Sequence, residues 1–311
     1  MTVVEIPDGL RRNAALVFGA TGTAWLERLP AEIDQFLDAW DLRADLPPGR
    51  SPWHGMCGLV LPVRTADDVP AALKLSPADE GNEHEHIALE TWDGDGAVRL
   101  LAADPARRVL LMERLDGDHD LRREPAPEAT TELARLLVRL AVPAPPAVAR
   151  MVLLAETWVE EWPRRWRELA ISAPVTLLHE AVAAARELGP DSGDLLIHTD
   201  LHYENALAPG PDADPARGRW LAIDPQPMAG DPAFGITPML WNRIEDLGDT
   251  DREGALRSRL ALAADVAGLD AERARRWSIA REVQNMIWYA EDHTPDDFAR
   301  SEWVASTLAG I

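Results

Sequence analysis

Cysteine is almost absent from this chain of 311 residues, since Cys57 is its only one. A single cysteine cannot form an intrachain disulfide, so nothing argues for an oxidising compartment. Long apolar runs are also missing: no segment approaches the roughly 18 apolar residues of a membrane span, and residues 1–8 lack the pattern of a secretion signal. These absences predict a cytoplasmic protein that does not insert into a membrane.

Positive charge is scarce as well. Lysine and arginine total 31 against 53 aspartates and glutamates, which gives a formal net charge of −22. Nucleic acid and anionic membrane would repel such a surface, so neither is expected as a partner. A small cationic or polyhydroxylated substrate is the expected partner. The protein itself is expected to be a monomer or a weak dimer. The alternative interpretation is that the acidity only keeps the protein soluble.

The composition that remains is that of a folded protein, with 46% apolar and 27% charged residues. The apolar spacing predicts a helix over 12–45, and strands over 58–64 and 71–75 form a hairpin. A helix at 80–92 and strands at 97–102 and 109–113 follow. Beyond the polar stretch 115–120 the chain is mostly helical, and the length suits two domains, predicted as 1–114 and 115–311.

Two short apolar runs flank a polar motif in the second half. They are 195–197 and 220–223, with a turn region rich in proline, glycine and aspartate between them. We expect them to pair as a small hairpin that carries chemical residues at its ends.

The motif itself has the spacing of a phosphoryl-transfer site. Asp200 and Asn205 stand five apart, as do the acceptor-facing Asp and the metal-binding Asn of a kinase catalytic loop. Asp224 follows directly after the apolar run 220–223, where a strand would deliver it as a further magnesium ligand. Phosphoryl transfer asks for little more than one orienting carboxylate, oxygen ligands for Mg²⁺ and a cation on the phosphates.

The cation is the only lysine of the chain, Lys74, which lies in the second strand of the predicted hairpin. A flexible ammonium suits the phosphates there, and a guanidinium would not replace it neatly. Its expected partner is Glu85, because Glu85 lies one helical turn before the apolar Leu89.

Taken together, these segments resemble the aminoglycoside phosphotransferase superfamily, in its streptomycin 6-kinase and hydroxyurea phosphotransferase branch. The segments that carry the resemblance are 92–101, 112–115, 198–205, 220–227 and 230–232, and the similarity extends over about residues 20–295. It implies an α+β, bilobal protein-kinase-like fold, with a small β-rich amino-terminal lobe and a mostly helical carboxyl-terminal lobe.

The resemblance also implies roles for individual residues. Asp200 would be the catalytic carboxylate, and Asn205 and Asp224 would bind Mg²⁺. ATP would be held by Lys74, Glu85 and the backbone of Glu113 and Leu115. Acceptor contacts would come from the carboxyl-terminal half, where four residues place polar groups near aromatic rings: Trp241, Glu245, Gln284 and Trp288.

One departure from the family pattern concerns Gly235. Family members usually carry an Asp at this position, after Gly-Asp-Pro-x-Phe or Gly-Asp-Pro-x-Tyr, and such an Asp braces the catalytic loop through backbone amides. Its absence predicts a looser loop and a lower catalytic rate.

Three alternatives remain open from the sequence. His198, His202 and Glu204 could be ligands of a zinc hydrolase. The acceptor could be hydroxyurea or another metabolite hydroxyl, because the motifs define only the phosphate side. The missing Asp could also belong to a degenerate kinase that binds nucleotide and regulates a partner.

Overall fold

A computed structural model of the protein describes residues 4–47, 49–56, 58–79, 81–210 and 213–311. Contacts between Cα atoms divide the chain into two compact units. Unit 1 comprises the residues up to 118 together with 208–219, and unit 2 comprises 119–207 and 220–311. The boundary of the functional lobes, expected between 114 and 115, stays a prediction.

Unit 1 begins with a long helix, α1 (Asp8–Ala39), interrupted at Gly19, where φ is +54°. Glycine adopts this left-handed backbone without the steric cost of a side chain. The helix predicted over 12–45 is therefore present but ends earlier, because Asp41 has a φ of +50° and a strand begins at Arg43.

The sheet of unit 1 is antiparallel, in the order β1-β3-β4-β6-β5, and β2 pairs with β3. Helix α2 (Glu85–Trp92) follows β4. The strands are β1 (Arg43–Ala44), β2 (Trp53–His54), β3 (Leu59–Arg64), β4 (Pro70–Leu75), β5 (Leu100–Asp104) and β6 (Val109–Glu113).

Alternation along β4 decides where Lys74 points. Leu73 and Leu75 are fully buried in one core cluster with Leu29 and Ile33 of α1. Because successive strand residues point to opposite faces, Lys74 projects from the face of the sheet that turns away from α1. Its neighbours across the strands are Val60 and Leu110.

Strand β7 (Asp116–Asp120) carries the chain into unit 2, which is mostly helical. Helix α8 lies at the centre of this unit, packs against α5 and α9, and buries Trp277, Val283 and Met286 completely. The helices are α3 (Ala126–Leu140), α4 (Met151–Glu168), α5 (Val175–Leu188), α6 (Pro238–Trp241), α7 (Arg252–Ala267), α8 (Ala271–Glu291) and α9 (Pro295–Ala309).

Short strands position the polar motif within unit 2. They are β8 (Val142–Pro143), β9 (Leu195–His198), β10 (Ala206–Ala208), β11 (Leu221–Ala222) and β12 (Pro227–Gly230). β9 is the middle strand between β8 and β12, whereas β11 pairs with β10.

The predicted pairing of 195–197 with 220–223 is therefore wrong. The run at 206–208, directly after Asn205, is itself a strand, and it takes β11 as its partner through Ala206 with Ala222 and Leu207 with Leu221. β9 pairs instead with the segment that follows Asp224. In the described part of the chain, no helix is long and apolar enough to cross a membrane.

Candidate active site

Lys74 and Glu85 form a tight ion pair within unit 1. The Nζ atom of Lys74 lies 2.6 Å from Oε1 and 2.8 Å from Oε2 of Glu85, and the two side chains are only 9% and 4% exposed. Glu85 is the first residue of α2, and Ala88 and Leu89, one turn later, are buried. Anchoring of α2 by this apolar turn directs Glu85 toward the face of the sheet that carries Lys74.

Glu113 and Leu115 lie where the sheet of unit 1 ends. Glu113 is the last residue of β6, and its N–H donates to the carbonyl of Arg99 at 3.0 Å. Leu115 follows two residues later and is buried. The structure thus places both residues at a strand end, and their predicted contact with adenine stays a prediction.

Asp200 and Asn205 lie in one hydrogen-bonded loop of unit 2, which we call the catalytic loop (residues 198–205). The amide Nδ2 of Asn205 donates to the backbone carbonyl of Asp200 at 2.9 Å. The ring of His202 lies beside both, with Nε2 3.1 Å from Nδ2 of Asn205 and 3.8 Å from Oδ2 of Asp200. The five-residue spacing therefore closes a compact turn.

Asp224 is brought to the same loop by the short hairpin of β10 and β11. The N–H of Ile223 donates to the carbonyl of Asn205 at 3.0 Å, which joins one predicted metal ligand to the residue that precedes the other. Asp224 itself has a left-handed backbone, with φ of +53°. Aspartate tolerates this region better than most residues, and such strain concentrates at functional positions.

His198 and Thr199 also connect these segments, and the sequence reasoning assigned neither of them this position. The Nδ1 atom of His198 accepts the N–H of Asp200 at 3.1 Å, so the opposite Nε2 carries the proton that it donates to the carbonyl of Ile223, 3.0 Å away. Thr199 donates through both N–H and Oγ1 to the carbonyl of Gln226, each at 2.9 Å. The available signal in the sequence was that both residues directly precede Asp200.

Gly235 lies in a buried 3₁₀ turn (Pro232–Ile236) against the catalytic loop. A Cβ atom there would come within 2.5 Å of Leu137 Cδ1 and 3.5 Å of the His198 carbonyl. The loop is held by His198 and Thr199 instead. Nearby Asp231 accepts the N–H of Ala233 at 3.0 Å and the indole N–H of Trp277 at 2.7 Å.

Electrostatic forces on Asp200 oppose one another. Burial raises the pKa of this carboxyl group, the neighbouring His202 and Arg281 lower it, and the negative charges of Asp224 and Glu204 raise it. Arg281, on α8, is thus a positive charge close enough to influence Asp200, and no sequence pattern indicated its position.

Arg281 is surrounded by aromatic rings. Its guanidinium carbon lies 5.3 Å from the ring centre of Trp288, 5.5 Å from that of Phe234 and 5.9 Å from that of Trp241. Burial lowers its pKa, and the charge of Asp200 acts in the opposite direction. The structure therefore brings two predicted acceptor residues, Trp241 and Trp288, onto one cation.

The other two predicted acceptor residues differ from this pair. Gln284 is buried, and its Oε1 accepts the indole N–H of Trp162 at 2.7 Å, so it joins α8 to α4. Glu245 is exposed in the 3₁₀ turn Ile244–Leu247.

The donor set suits magnesium better than zinc. Mg²⁺ takes oxygen ligands and is commonly held by one or two protein groups together with substrate phosphates. The bond from Nδ2 of Asn205 to Asp200 turns the oxygen of that amide the other way, so it can serve as such a ligand with the carboxylate of Asp224. Both ring nitrogens of His198 are engaged within the protein. Within the described ranges, no three His, Cys, Asp or Glu side chains form a metal site.

Solved structures share the fold of this chain. The chain is similar to a thermostable mutant of aminoglycoside phosphotransferase APH(4)-Ia, in a ternary complex with ADP and hygromycin B. The TM-score is 0.57 at 12% identity, and the match covers 89% of this chain and 97% of that one. The predicted α+β, kinase-like fold is confirmed by this likeness.

Closer relatives identify the family. Residues 43–293 match the family described as aminoglycoside/hydroxyurea antibiotic resistance kinase. The chain is 41% identical to a streptomycin 6-kinase of Streptomyces glaucescens over 293 residues, 93% of this chain and 92% of the relative. It is 40% identical to a hydroxyurea phosphotransferase of Kitasatospora aureofaciens over 312 residues, 99% of this chain and 87% of the relative.

The chain therefore belongs to the aminoglycoside/hydroxyurea antibiotic resistance kinase family. The predicted resemblance and the predicted class of enzyme, a phosphotransferase, are both confirmed.

Proposed function

We propose that this protein transfers the γ-phosphoryl group of ATP to a hydroxyl group of streptomycin, which would inactivate the antibiotic. The single observation that carries the chemistry is the bonded arrangement of Asp200 and Asn205 with the strand end before Asp224. The identity to a streptomycin 6-kinase supports the acceptor.

Each residue has one task in this reaction. Lys74, oriented by Glu85, holds the nucleotide phosphates, and the backbone of Glu113 and Leu115 meets the adenine. Asp200 orients the acceptor hydroxyl and accepts its proton as the new O–P bond forms and the bond to ADP breaks. Asn205 and Asp224 would hold magnesium, which when bound would offset the negative charge of the phosphates.

The surface charge supports a cationic acceptor. With a net charge of −22, the protein would attract a positively charged small molecule and raise its rate of encounter at low salt. We expect phosphorylation of streptomycin to slow as ionic strength rises, within the range where exposed charges are screened.

Hydroxyurea is the second candidate acceptor, because the relative named hydroxyurea phosphotransferase matches 99% of this chain at 40% identity. Hydroxyurea is small and neutral, so its phosphorylation should depend little on salt. The two acceptors thus differ in a property that can be measured directly.

A coupled assay of ADP release distinguishes these outcomes. The purified protein is given Mg²⁺·ATP with streptomycin, hydroxyurea or hygromycin B, and the phosphorylated product is identified by mass spectrometry. Asp200→Asn serves as the control, and its kcat should fall by about 10²–10⁴-fold. Nucleotide binding without turnover of any acceptor would overturn the proposal and favour a degenerate kinase.

A further inference from the structure

The segment that joins the two predicted magnesium ligands belongs mostly to unit 1. Asn205 precedes β10 and Asp224 follows β11, and both lie in unit 2. Most of the described connection between these strands, residues 209–210 and 213–219, is counted with unit 1, which also contains Lys74 and Glu85. Some contact must therefore anchor this connection to unit 1.

Arg217 supplies that anchor. Its Nη1 donates to Oε2 of Glu113 and its Nη2 to Oε1, both at 2.6 Å. Nη2 also donates to the carbonyl of Ala97, and Nε donates to that of Gly94, both at 2.9 Å. The side chain is 12% exposed. A bidentate arginine–carboxylate pair of this kind is among the stronger hydrogen-bonded contacts in proteins.

The turn that receives Arg217 is shaped for a close approach. Gly94 has a φ of +80°, and a Cβ atom there would lie 3.1 Å from Nη2 of Arg217. Only glycine combines this backbone with room for the guanidinium. The turn Trp92-Asp93-Gly94-Asp95 therefore provides the backbone against which Arg217 packs.

Glu113, the carboxylate partner, also forms two hydrogen bonds with the backbone of Arg99. Its Oε1 also accepts the N–H of Arg99 at 2.7 Å, and its own N–H donates to the carbonyl of Arg99 at 3.0 Å. Glu113 is also the residue whose backbone is expected to meet adenine. One guanidinium thus fixes both the strand end expected at adenine and the segment between the two predicted metal ligands.

We propose that Arg217 is a positioning residue for the nucleotide. By holding the carboxylate of Glu113 and the carbonyls of Gly94 and Ala97, it fixes the end of β6, whose backbone is proposed to meet adenine. This inference rests on the proposed function. The proposal gives Arg217 no role at the acceptor, so its loss should weaken nucleotide binding and leave acceptor binding in place.

The chain offers a matched control in the same unit. Arg43 pairs with Asp68 at the surface, where the two side chains are 61% and 67% exposed. Arg43→Ala removes an arginine–carboxylate pair without touching Glu113. It should leave every kinetic constant and nucleotide affinity unchanged.

The experiment measures nucleotide and acceptor binding separately. Titration calorimetry with Mg²⁺·AMP-PNP gives nucleotide affinity, and steady-state kinetics give the KM of ATP and of the acceptor. For Arg217→Ala we expect the nucleotide Kd and the KM of ATP to rise by about tenfold or more, as loss of charged hydrogen bonds predicts. The KM of the acceptor should change less than about twofold, and Arg217→Lys should restore part of the affinity, because it keeps the charge but not the fork.

Two results would overturn the proposal. One is a folded Arg217→Ala protein with wild-type nucleotide affinity. The other is an equal loss of nucleotide and acceptor binding, which a general structural role would produce. If Arg217→Ala does not fold, Glu113→Gln is the second variant: it keeps the bonds to Ala97 and Gly94, and unchanged nucleotide affinity would reject the proposal.

Calorimetry also separates this inference from the proposed function. If the wild-type protein binds AMP-PNP in an Arg217-dependent manner but phosphorylates no acceptor, the proposed function fails and the role of Arg217 stands. If it phosphorylates streptomycin and Arg217→Ala binds nucleotide normally, the reverse holds.

Discussion

Each unit buries a cation and a carboxylate close together in sequence or space, and the two sets are arranged differently. In unit 1, Lys74 and Glu85 meet in a bidentate ion pair. In unit 2, Arg281 and Glu282 are adjacent on α8 and both buried, but neighbours on a helix point in different directions and do not pair. Among the described residues, Arg281 Nε and Glu282 Oε1 have no hydrogen-bond partner.

The difference separates two uses of buried charge. A cation fixed by a carboxylate has one position, which suits a phosphate group that is the same in every reaction cycle. A cation held by aromatic faces is stabilised without a directional bond, so its surroundings can vary with the acceptor. The comparison therefore predicts that unit 1 tolerates charge removal poorly and that α8 tolerates it better.

The largest effect is expected for Lys74→Met. Glu85 would remain buried without the cation that neutralises it, and loss of one partner from such a pair costs about 3–5 kcal/mol. The double variant with Glu85→Gln should recover most of this loss. Chemical denaturation measures the free energy of unfolding, with Arg43→Ala as the exposed-pair control, expected below about 1 kcal/mol. If Lys74→Met lowers the free energy of unfolding no more than Arg43→Ala does, the predicted difference between the two units is contradicted.

Glu282 should make stability depend on pH. Burial raises its pKa from 4.5 to about 7, so the folded protein favours the protonated acid. This contribution to stability is complete below pH 4.5 and is lost as the pH rises through about 7. Glu282→Gln remains neutral, so its stability advantage over wild type should grow with pH, by on the order of 3 kcal/mol at most.

Denaturation of both proteins at pH 5 and pH 8.5 measures this growth. The exposed Glu90→Gln provides the control, for which no growth with pH is expected. A difference between Glu282→Gln and wild type that stays constant from pH 5 to 8.5 would mean that Glu282 is ionised throughout.

Arg281→Met should destabilise the protein less than Lys74→Met, by about 1–2 kcal/mol, because it removes contacts with aromatic faces and no bidentate ion pair. Its kcat should fall, since the positive charge of Arg281 favours the ionised form of Asp200. Arg281→Lys keeps the charge, so its kcat should lie between those of wild type and Arg281→Met. Equal destabilisation by Arg281→Met and Lys74→Met would contradict the comparison.

The sequence predicted the first of these two arrangements because its parts are local. Lys74 lies between two leucines of a strand, and Glu85 lies one turn before a buried leucine of a helix, so the side-chain periods of the two elements predict the faces on which they lie. For the same reason, the strands predicted over 58–64, 71–75 and 109–113 are present, as β3, β4 and β6.

The second arrangement depends on contacts that periodicity does not encode. Arg281 contacts the rings of Phe234 and Trp241, which lie more than one helix earlier in the chain, and α8 has no simple apolar stripe because it is buried nearly all round. The partner of β9 was predicted wrongly for a related reason. Three short runs, 206–208, 221–222 and 227–230, could each pair with it, and their lengths do not decide between them.

The smallest effect is expected for Trp288→Ala. Trp288 is 42% exposed and contributes one of the three rings around Arg281. Its removal should cost less than about 1 kcal/mol of stability and, if the ring also contacts the acceptor, raise the KM of the acceptor by roughly two- to fivefold. The KM of ATP should not change. Trp303→Ala is the matched control, because Trp303 has a similar cation contact with Arg252, at 4.9 Å, on α9. An equal change of acceptor KM in both variants would show that Trp288 acts through the fold of α8 and α9 and not through the acceptor.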